Sequence, residues 1–203
     1  SKIYITRCTN WGETCEKPIK ISEEQQRVQG VSLTNIGNRI VAAWRRADSE
    51  DAIIYSYSGN GGKKWTKGEA ATGLCSIDQG ASGTSMRLLN IPWTANDGNR
   101  FYIFASDRRF GGDGSCETGI PKIGVTWSST GKNWGGSGAF QVLEDPSVPN
   151  PGGEQTGDGF QIFPTATGFR GNVQVAWYDT RRETFGAGLP GEAGTGQVPN
   201  LLR

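Results

Sequence analysis

Ser58-Gly59-Asn60-Gly61-Gly62-Lys63-Lys64-Trp65 is a compact turn written between two strand-like stretches. Small polar residues precede a Gly, and an aromatic follows that Gly three residues later. Two other segments repeat the wording: Cys8-Thr9-Asn10-Trp11-Gly12-Glu13-Thr14-Cys15 and Ser128-Ser129-Thr130-Gly131-Lys132-Asn133-Trp134. The first of these has Cys where the aromatic belongs. The flanks of all three are rich in Ile, Val, Tyr and Thr, which suit a pleated, half-buried surface. A hairpin turn that recurs inside a β chain is a repeat, and a repeat largely determines a fold.

The repeat is longer than its turn. Ahead of Ser58 lie Val31 to Ile36, then Gly37-Asn38, then Arg39 to Trp44. Gly-Asn between two apolar runs predicts a two-residue hairpin. Arg45 to Asp51 reads as a polar loop, Ala52 to Tyr57 as a third strand, and the chain from Lys63 as a fourth. One unit of four antiparallel strands thus occupies residues 27–72. A second occupies 84–145: Leu88 to Thr94, a turn at Asn96 to Asn99, Arg100 to Ala105, a Gly-rich loop from Ser106 to Pro121, Lys122 to Trp127, and a last strand from Asn133 onward.

Residues 158–185 hold only the first half of another unit, with strands at Gln161 to Thr167 and Asn172 to Trp177 around a turn at Gly168 to Gly171. Residues 1–22 hold only a second half: Ile3 to Arg7, the Cys8 turn, and Pro18 to Ile21. The Gly- and Pro-rich tail 186–203 has no strand period and reads as loop. No helix of useful length is expected.

Composition agrees. The 203 residues include 31 Gly and only 34% apolar residues, which favours many short strands over a helical bundle. Net charge is +1 with both signs interspersed, so no basic stripe argues for nucleic acid. There is no apolar run of about 18 residues to cross a membrane as a helix. The chain opens at Ser1-Lys2-Ile3-Tyr4, already strand-like, as after removal of a leader or in a fragment of a longer protein.

Histidine is absent, which excludes a Ser-His-Asp or Cys-His machine within this chain and any His-ligated metal. The four cysteines form no CxxC pair, so zinc is not expected. Cys8 and Cys15 flank a turn at nearly opposite strand positions, where a cross-strand disulfide fits. Such a bridge points to an oxidising compartment, hence a secreted or cell-surface protein; the alternative is four reduced, buried thiols.

Four-stranded sheets at this spacing describe the blades of a β-propeller, in which radial stacking buries both faces of each sheet. Val41, Trp44, Ile54, Ile103, Val125 and Trp177 are the expected packing between blades.

The three turns resemble the Asp boxes of the sialidase (neuraminidase) family, whose pattern is Ser-x-Asp-x-Gly-x-Thr-Trp. The second copy supplies Ser58, Gly62 and Trp65, with Asn60 for the Asp. The first keeps Asn10, Gly12 and Thr14. The third keeps Gly131 and Trp134, with Ser129 expected at the acidic position. The resemblance covers about residues 1–182. It implies about three blades of a six- or seven-bladed propeller, and it implies that the boxes are structural and lie away from the active face. The Asp or Asn ties its own turn, the Gly takes a conformation others resist, and the Trp packs between strands.

The same resemblance directs attention to the opposite face. There the second strands end in charge: Arg45 and Arg46, then Asp107, Arg108 and Arg109, then Asp179, Arg181 and Arg182. Propeller topology gathers these on one rim as candidate ligand contacts. Cys75 and Cys116 fall on that face as well and are a candidate pair. Guanidinium grips carboxylate in bidentate fashion, so an acidic ligand suits such a rim. The competing reading is that these Asp and Arg side chains pair with one another and only hold loops.

Family sialidases bind the sugar acid with three arginines and use an Asp acid with a Tyr-Glu nucleophile pair. They begin with a Phe/Tyr-Arg-Ile-Pro motif. Here Leu89-Asn90-Ile91-Pro92 and Gln161-Ile162-Phe163-Pro164 both lack its Arg, and no Tyr-Glu pair is assignable, so no catalytic residue is named. The arginines beside Asp107 are expected to hold its carboxyl below the ordinary range, the wrong direction for a general acid. Asp48, Glu50 and Asp51, and Asp107 with Asp113, are weak calcium candidates without EF-hand spacing; no other cofactor or metal is expected. The sequence therefore favours a secreted module that binds a glycan or surface protein within a longer polypeptide or assembly. The alternative is an exo-sialidase or related hydrolase of an acidic sugar.

Overall fold

The computed structural model describes residues 1–23, 27–47, 51–75, 91–110, 114–116, 121–135, 140–143 and 161–179. Most of these residues lie in antiparallel strands, with two short 3-10 turns at Asn10–Gly12 and Arg108–Phe110. The first sheet pairs β1 (Tyr4–Ile5) with β4 (Ile19–Lys20), and between them β2 (Cys8–Thr9) and β3 (Thr14–Cys15) make a small hairpin. The second runs in order β5 (Val28–Ile36), β6 (Arg39–Ala47), β7 (Asp51–Ser58), β8 (Thr66–Leu74). The third runs β9 (Trp93–Asn96), β10 (Phe101–Asp107), β11 (Lys122–Ser128), β12 (Gln141–Val142). The last pairs β13 (Gln161–Phe169) with β14 (Asn172–Asp179).

The second sheet is covered on both faces, and its sequence says why. Alternation along β6 puts Val41 and Ala43 on one face and Ala42 and Trp44 on the other, yet all four are buried. A continuous apolar run is what a strand needs when both of its faces are packed. Val41, Ala43, Ile53 and Tyr55 meet Phe101, Ile103 and Ala105 of the third sheet. Ala42, Trp44 and Ile54 meet Ile3, Ile5 and Ile21 of the first.

The first strands of successive sheets also lie side by side. β5 contacts β9, and β9 contacts β13. Polar bonds cross both junctions. Thr94 N donates to Ser32 Oγ at 2.9 Å, and Asn96 Nδ2 to Thr34 Oγ1 at 2.8 Å. Trp93 Nε1 donates to Ala166 O at 2.8 Å.

The repeated turns share one construction. Ser58 Oγ accepts from Gly62 N at 2.9 Å, Asn60 Oδ1 accepts from Lys64 N at 2.9 Å, and Trp65 Nε1 donates to Gly62 O at 2.9 Å. Gly62 has φ +87°, a region where a Cβ is strained. In the first copy the Cys8–Cys15 disulfide closes the hairpin where Ser and Trp stand in the second. In the third, Ser128 Oγ accepts from Gly131 N at 2.8 Å, and Thr130 Oγ1 accepts from Lys132 N at 3.2 Å and Asn133 N at 3.4 Å. This corrects the expectation for Ser129. The turn is one residue shorter, so Thr130 reaches the amides that Asn60 would hold.

Other expectations need correction. β6 continues through Arg45, Arg46 and Ala47 rather than breaking into loop at Arg45, because Arg45 and Arg46 stay in register opposite Ile53 and Ala52. β8 begins at Thr66 and runs past residue 72 to Leu74, and the fourth strand of the third sheet is β12 rather than the chain from Asn133. Val125 and Trp177 are only half-buried. Val125 stands opposite Phe104, on the face of the third sheet turned away from the second, where β13 lies against β11.

The turn between β9 and β10 is tied by one carboxylate. Asp97 Oδ1 accepts from Asn99 N and Arg100 N, both at 2.7 Å, and Oδ2 accepts from Tyr102 OH at 2.7 Å. Burial pushes Asp97 up, but these bonds and the Arg100 charge outweigh it and leave its pKa below the ordinary value. A depressed carboxylate contributes stability above its unfolded pKa and loses it as pH falls through the folded one. Asp97→Ala should therefore cost about 1 kcal/mol near neutral pH. Urea unfolding at falling pH should show the difference from wild type shrinking below the ordinary carboxylate range.

Candidate functional site

The charged end of the second and third sheets is built where β6 runs into β7 and where β10 ends. Arg45, at the close of β6, is buried and donates to Asp51 at the start of β7, through Nε at 3.1 Å and Nη2 at 2.5 Å. Arg46 is bridged to Glu69 on β8. Asp51 stands opposite Leu74, the last residue of β8. Cys75 follows, and its N–H donates to Asp107 Oδ2 at 3.0 Å.

Asp107 thus receives a bond from the neighbouring sheet. Its other oxygen accepts from Arg109 N at 2.8 Å and Arg109 Nε at 3.3 Å. Arg109 continues across the junction, with Nη2 donating to Thr72 O at 3.4 Å. The Cys75–Cys116 disulfide joins the same two sheets covalently, and Arg108 Nη1 donates to Cys116 O at 3.1 Å. Two sheets are therefore stitched together here by one carboxylate, one guanidinium and one disulfide.

Asp107 has no solvent-exposed surface. Burial raises its pKa above the ordinary carboxylate value, only partly offset by the Arg109 and Cys75 bonds and the Arg109 charge. This reverses the sequence expectation that flanking arginines would lower it. Desolvation of a fully enclosed carboxylate exceeds the attraction of a guanidinium that still reaches water.

Asp179 ends β14, half-buried, and its Oδ2 accepts from Trp177 Nε1 at 3.3 Å and Gln161 Nε2 at 3.4 Å. Gln161 is buried, and its Oε1 accepts from Ile123 N of the third sheet at 3.2 Å. Sequence reasoning missed Gln161. A lone Gln at a strand start carries no pattern, and only its place at the junction gives it a role.

The structure brings Arg45, Asp51, Asp107 and Arg109 together around the end of β8. Arg181 and Arg182 lie outside the described residues, as do Asp48, Glu50 and Asp113. The two remaining members of the calcium candidates, Asp51 and Asp107, are engaged with Arg45 and Arg109. Among the described residues no group of His, Cys, Asp and Glu side chains is placed to hold a metal ion. Nor is any described helix long and apolar enough to cross a membrane. The two disulfides are compatible with an extracellular location.

No protein-family model matches the chain. None of the curated proteins matches it either. Among solved structures, that of a Trypanosoma rangeli sialidase in complex with sialic acid is similar at 14% identity and a TM-score of 0.39, over 87% of this chain. The chain spans 31% of that sialidase chain.

Proposed function

We propose that this chain is part of a sialidase-like β-propeller, secreted or displayed at the cell surface, whose charged end binds an acidic glycan without cleaving it. Support for the propeller comes from the adjacent first strands β5, β9 and β13 and from the recurrence of Asp-box-like turns at the far end of the sheets. Support for an acidic ligand comes from Arg108 and Arg109, which still reach solvent after β10, whereas Arg45 and Arg46 are taken up by Asp51 and Glu69.

One observation favours binding over catalysis: Asp107 is sealed from solvent, and both of its oxygens are taken by Cys75 and Arg109. A general acid must come within hydrogen-bond reach of the leaving oxygen. Its raised pKa favours the hydrolase reading, since an acid working near neutrality needs such a shift. Geometry ranks ahead of pKa in that comparison.

Glycan-array binding to sialylated or uronic-acid glycans is the expected result, with no turnover of a fluorogenic sialoside. Arg108→Ala should weaken binding roughly tenfold, the scale of one charge-assisted contact. Turnover that Arg108→Ala or Arg181→Ala abolishes would establish the hydrolase instead, and the absence of any acidic-glycan binding would remove the module reading.

A further inference from the structure

The two ends of the sheets use their charge differently. At one end Arg45, Arg46 and Arg109 are bridged to Asp51, Glu69 and Asp107. The other end, where the repeated turns lie, carries Arg39, Lys63, Lys64, Arg100, Lys132 and Arg170 on the second, third and last sheets. One acid, Asp97, stands among them. It is buried, and its oxygens are taken by Asn99 N, Arg100 N and Tyr102 OH. Among the described residues none of the six cations is bridged to a carboxylate.

The six form one band because the turns touch. Arg39 opens β6 one residue before the Ile40–Ser58 pair, so it stands beside the turn that holds Lys63 and Lys64. Asn38 O accepts from Gly61 N of that turn at 2.9 Å. Arg39 Nη1 crosses to the third sheet and donates to Ser129 O at 2.8 Å. Lys132 crosses back, its Nζ 5.2 Å from the centre of the Tyr57 ring. Arg100 precedes the Phe101–Ser128 pair and so adjoins the same third-sheet turn. Gly171 N donates to Asp97 O at 2.8 Å, which sets the Arg170 turn against the Arg100 turn.

The neighbours of these cations position them without neutralising them. Arg39 lies 5.4 Å from the centre of the Phe101 ring, Arg100 4.4 Å from that of Trp127, and Arg170 4.8 Å from that of Phe169. A ring face attracts a cation yet leaves its net charge intact. Lys63, Lys64, Arg100, Lys132 and Arg170 are exposed. Sequence hides the band, because its members are spread from residue 39 to residue 170 with acids between them, and the whole chain has a net charge of only +1. The Cys8 hairpin and its flanks set Arg7 and Lys17 against Glu13 and Glu16, and add no net charge.

We propose that this end of the sheets binds a linear anionic polysaccharide, with sulfate or carboxylate groups along its length, laid across the turns of three sheets. The site is distinct from the Asp107 end and does not depend on the reading given for that end. Unneutralised cations gathered on one face focus a field that draws in a polyanion. They come from turns of three different sheets, so a flexible chain that meets them in succession fits better than a compact ligand. The two disulfides are compatible with an extracellular location, where long polyanions are polysaccharides rather than nucleic acid. Docking on an anionic bilayer needs apolar side chains that enter it beside the cations. Here Tyr57, Phe101 and Trp127 are engaged by the cations themselves.

Calorimetric titration of the 203-residue chain with a size-defined heparin oligosaccharide tests this. Binding is expected, and it should weaken with rising salt as counterions are released. Lys63→Glu with Lys64→Glu changes two side chains that take no part in their turn's own bonds. The pair should weaken binding about tenfold or more and flatten its salt dependence. Arg170→Gln alone should weaken it about threefold, since the band reaches the last sheet. Lys2→Glu with Arg27→Glu makes the same change in net charge away from the band and should leave the affinity within about twofold. No heparin binding, equal losses in the two double variants, or tighter binding to phosphatidylserine vesicles or single-stranded RNA than to heparin overturns the proposal. The reading of the Asp107 end stands or falls apart from this one, because Lys63→Glu with Lys64→Glu should leave sialylated-glycan binding on the array unchanged.

Discussion

Asp107→Ala is expected to lower the free energy of unfolding by about 3 kcal/mol, a large share of the roughly 5–15 kcal/mol that holds a domain folded. The carboxylate is enclosed and accepts from Cys75 N and Arg109 N. Alanine leaves both amide donors without a partner in a place water does not reach, at about 1–3 kcal/mol each. The Arg109 side chain, 35% exposed, can turn to solvent and adds little. Asp107→Asn should cost about 1–3 kcal/mol, less than alanine, since its amide oxygen keeps one of the two donors while its NH2 faces the other, and the buried charge is gone.

The pH dependence separates the two effects. Burial raises the folded pKa of Asp107 above its unfolded value. The linked stability is therefore fully present below the unfolded pKa and lost as pH rises through the folded one. At neutral pH the ionised carboxylate opposes folding, and mild acidification relieves it. Urea midpoints at pH 7 and at lower pH should converge on this behaviour for wild type, while Asp107→Asn lacks it. An alanine variant as stable as wild type would show that the junction does not depend on this carboxylate.

Gly168→Ala should be the second large loss, about 3 kcal/mol or more, at the upper end for an overpacked site. A Cβ on Gly168 would fall 1.7 Å from Asn96 O and 3.2 Å from Asn172 O. Both are backbone atoms, so no rotamer change makes room. β13 must move away from β9, and the Trp93 bond to Ala166 O must break with it. Gly62→Ala is the control. Its Cβ meets nothing closer than 3.7 Å, so only its φ of +87° is penalised, at about 1 kcal/mol. Equal losses at the two sites in chemical denaturation would refute the close approach of β13 to β9.

Much of the architecture was legible because turns and alternation are local signals. Gly37-Asn38 announced the β5–β6 hairpin, and the Ser58 turn announced the end of β7. The pairing of Cys8 with Cys15 followed from their opposite places on two short strands. The C-terminal end of β6 was misread, since Arg45 and Arg46 look like loop until Asp51 and Glu69 are seen to take up their charge. The place of Thr130 was misread because a turn one residue shorter shifts every role by one.

The rim was legible only as a list of charges. Whether an Arg faces a ligand or a neighbouring Asp depends on the packing of two sheets, and no spacing along the chain encodes that. Asp107 is the sharpest instance: its sequence neighbours predicted a lowered pKa, and enclosure between sheets produced the opposite.

The amino-acid sequence alone determined that the described residues are mostly β, where their tight turns lie, and how their units repeat, because backbone preference and side-chain alternation act over a few residues. Tertiary structure alone decided which charges are spent on one another and which carboxylate is cut off from water. Those outcomes depend on desolvation and on contacts between residues distant in the chain, and such energies exist only once the sheets have packed.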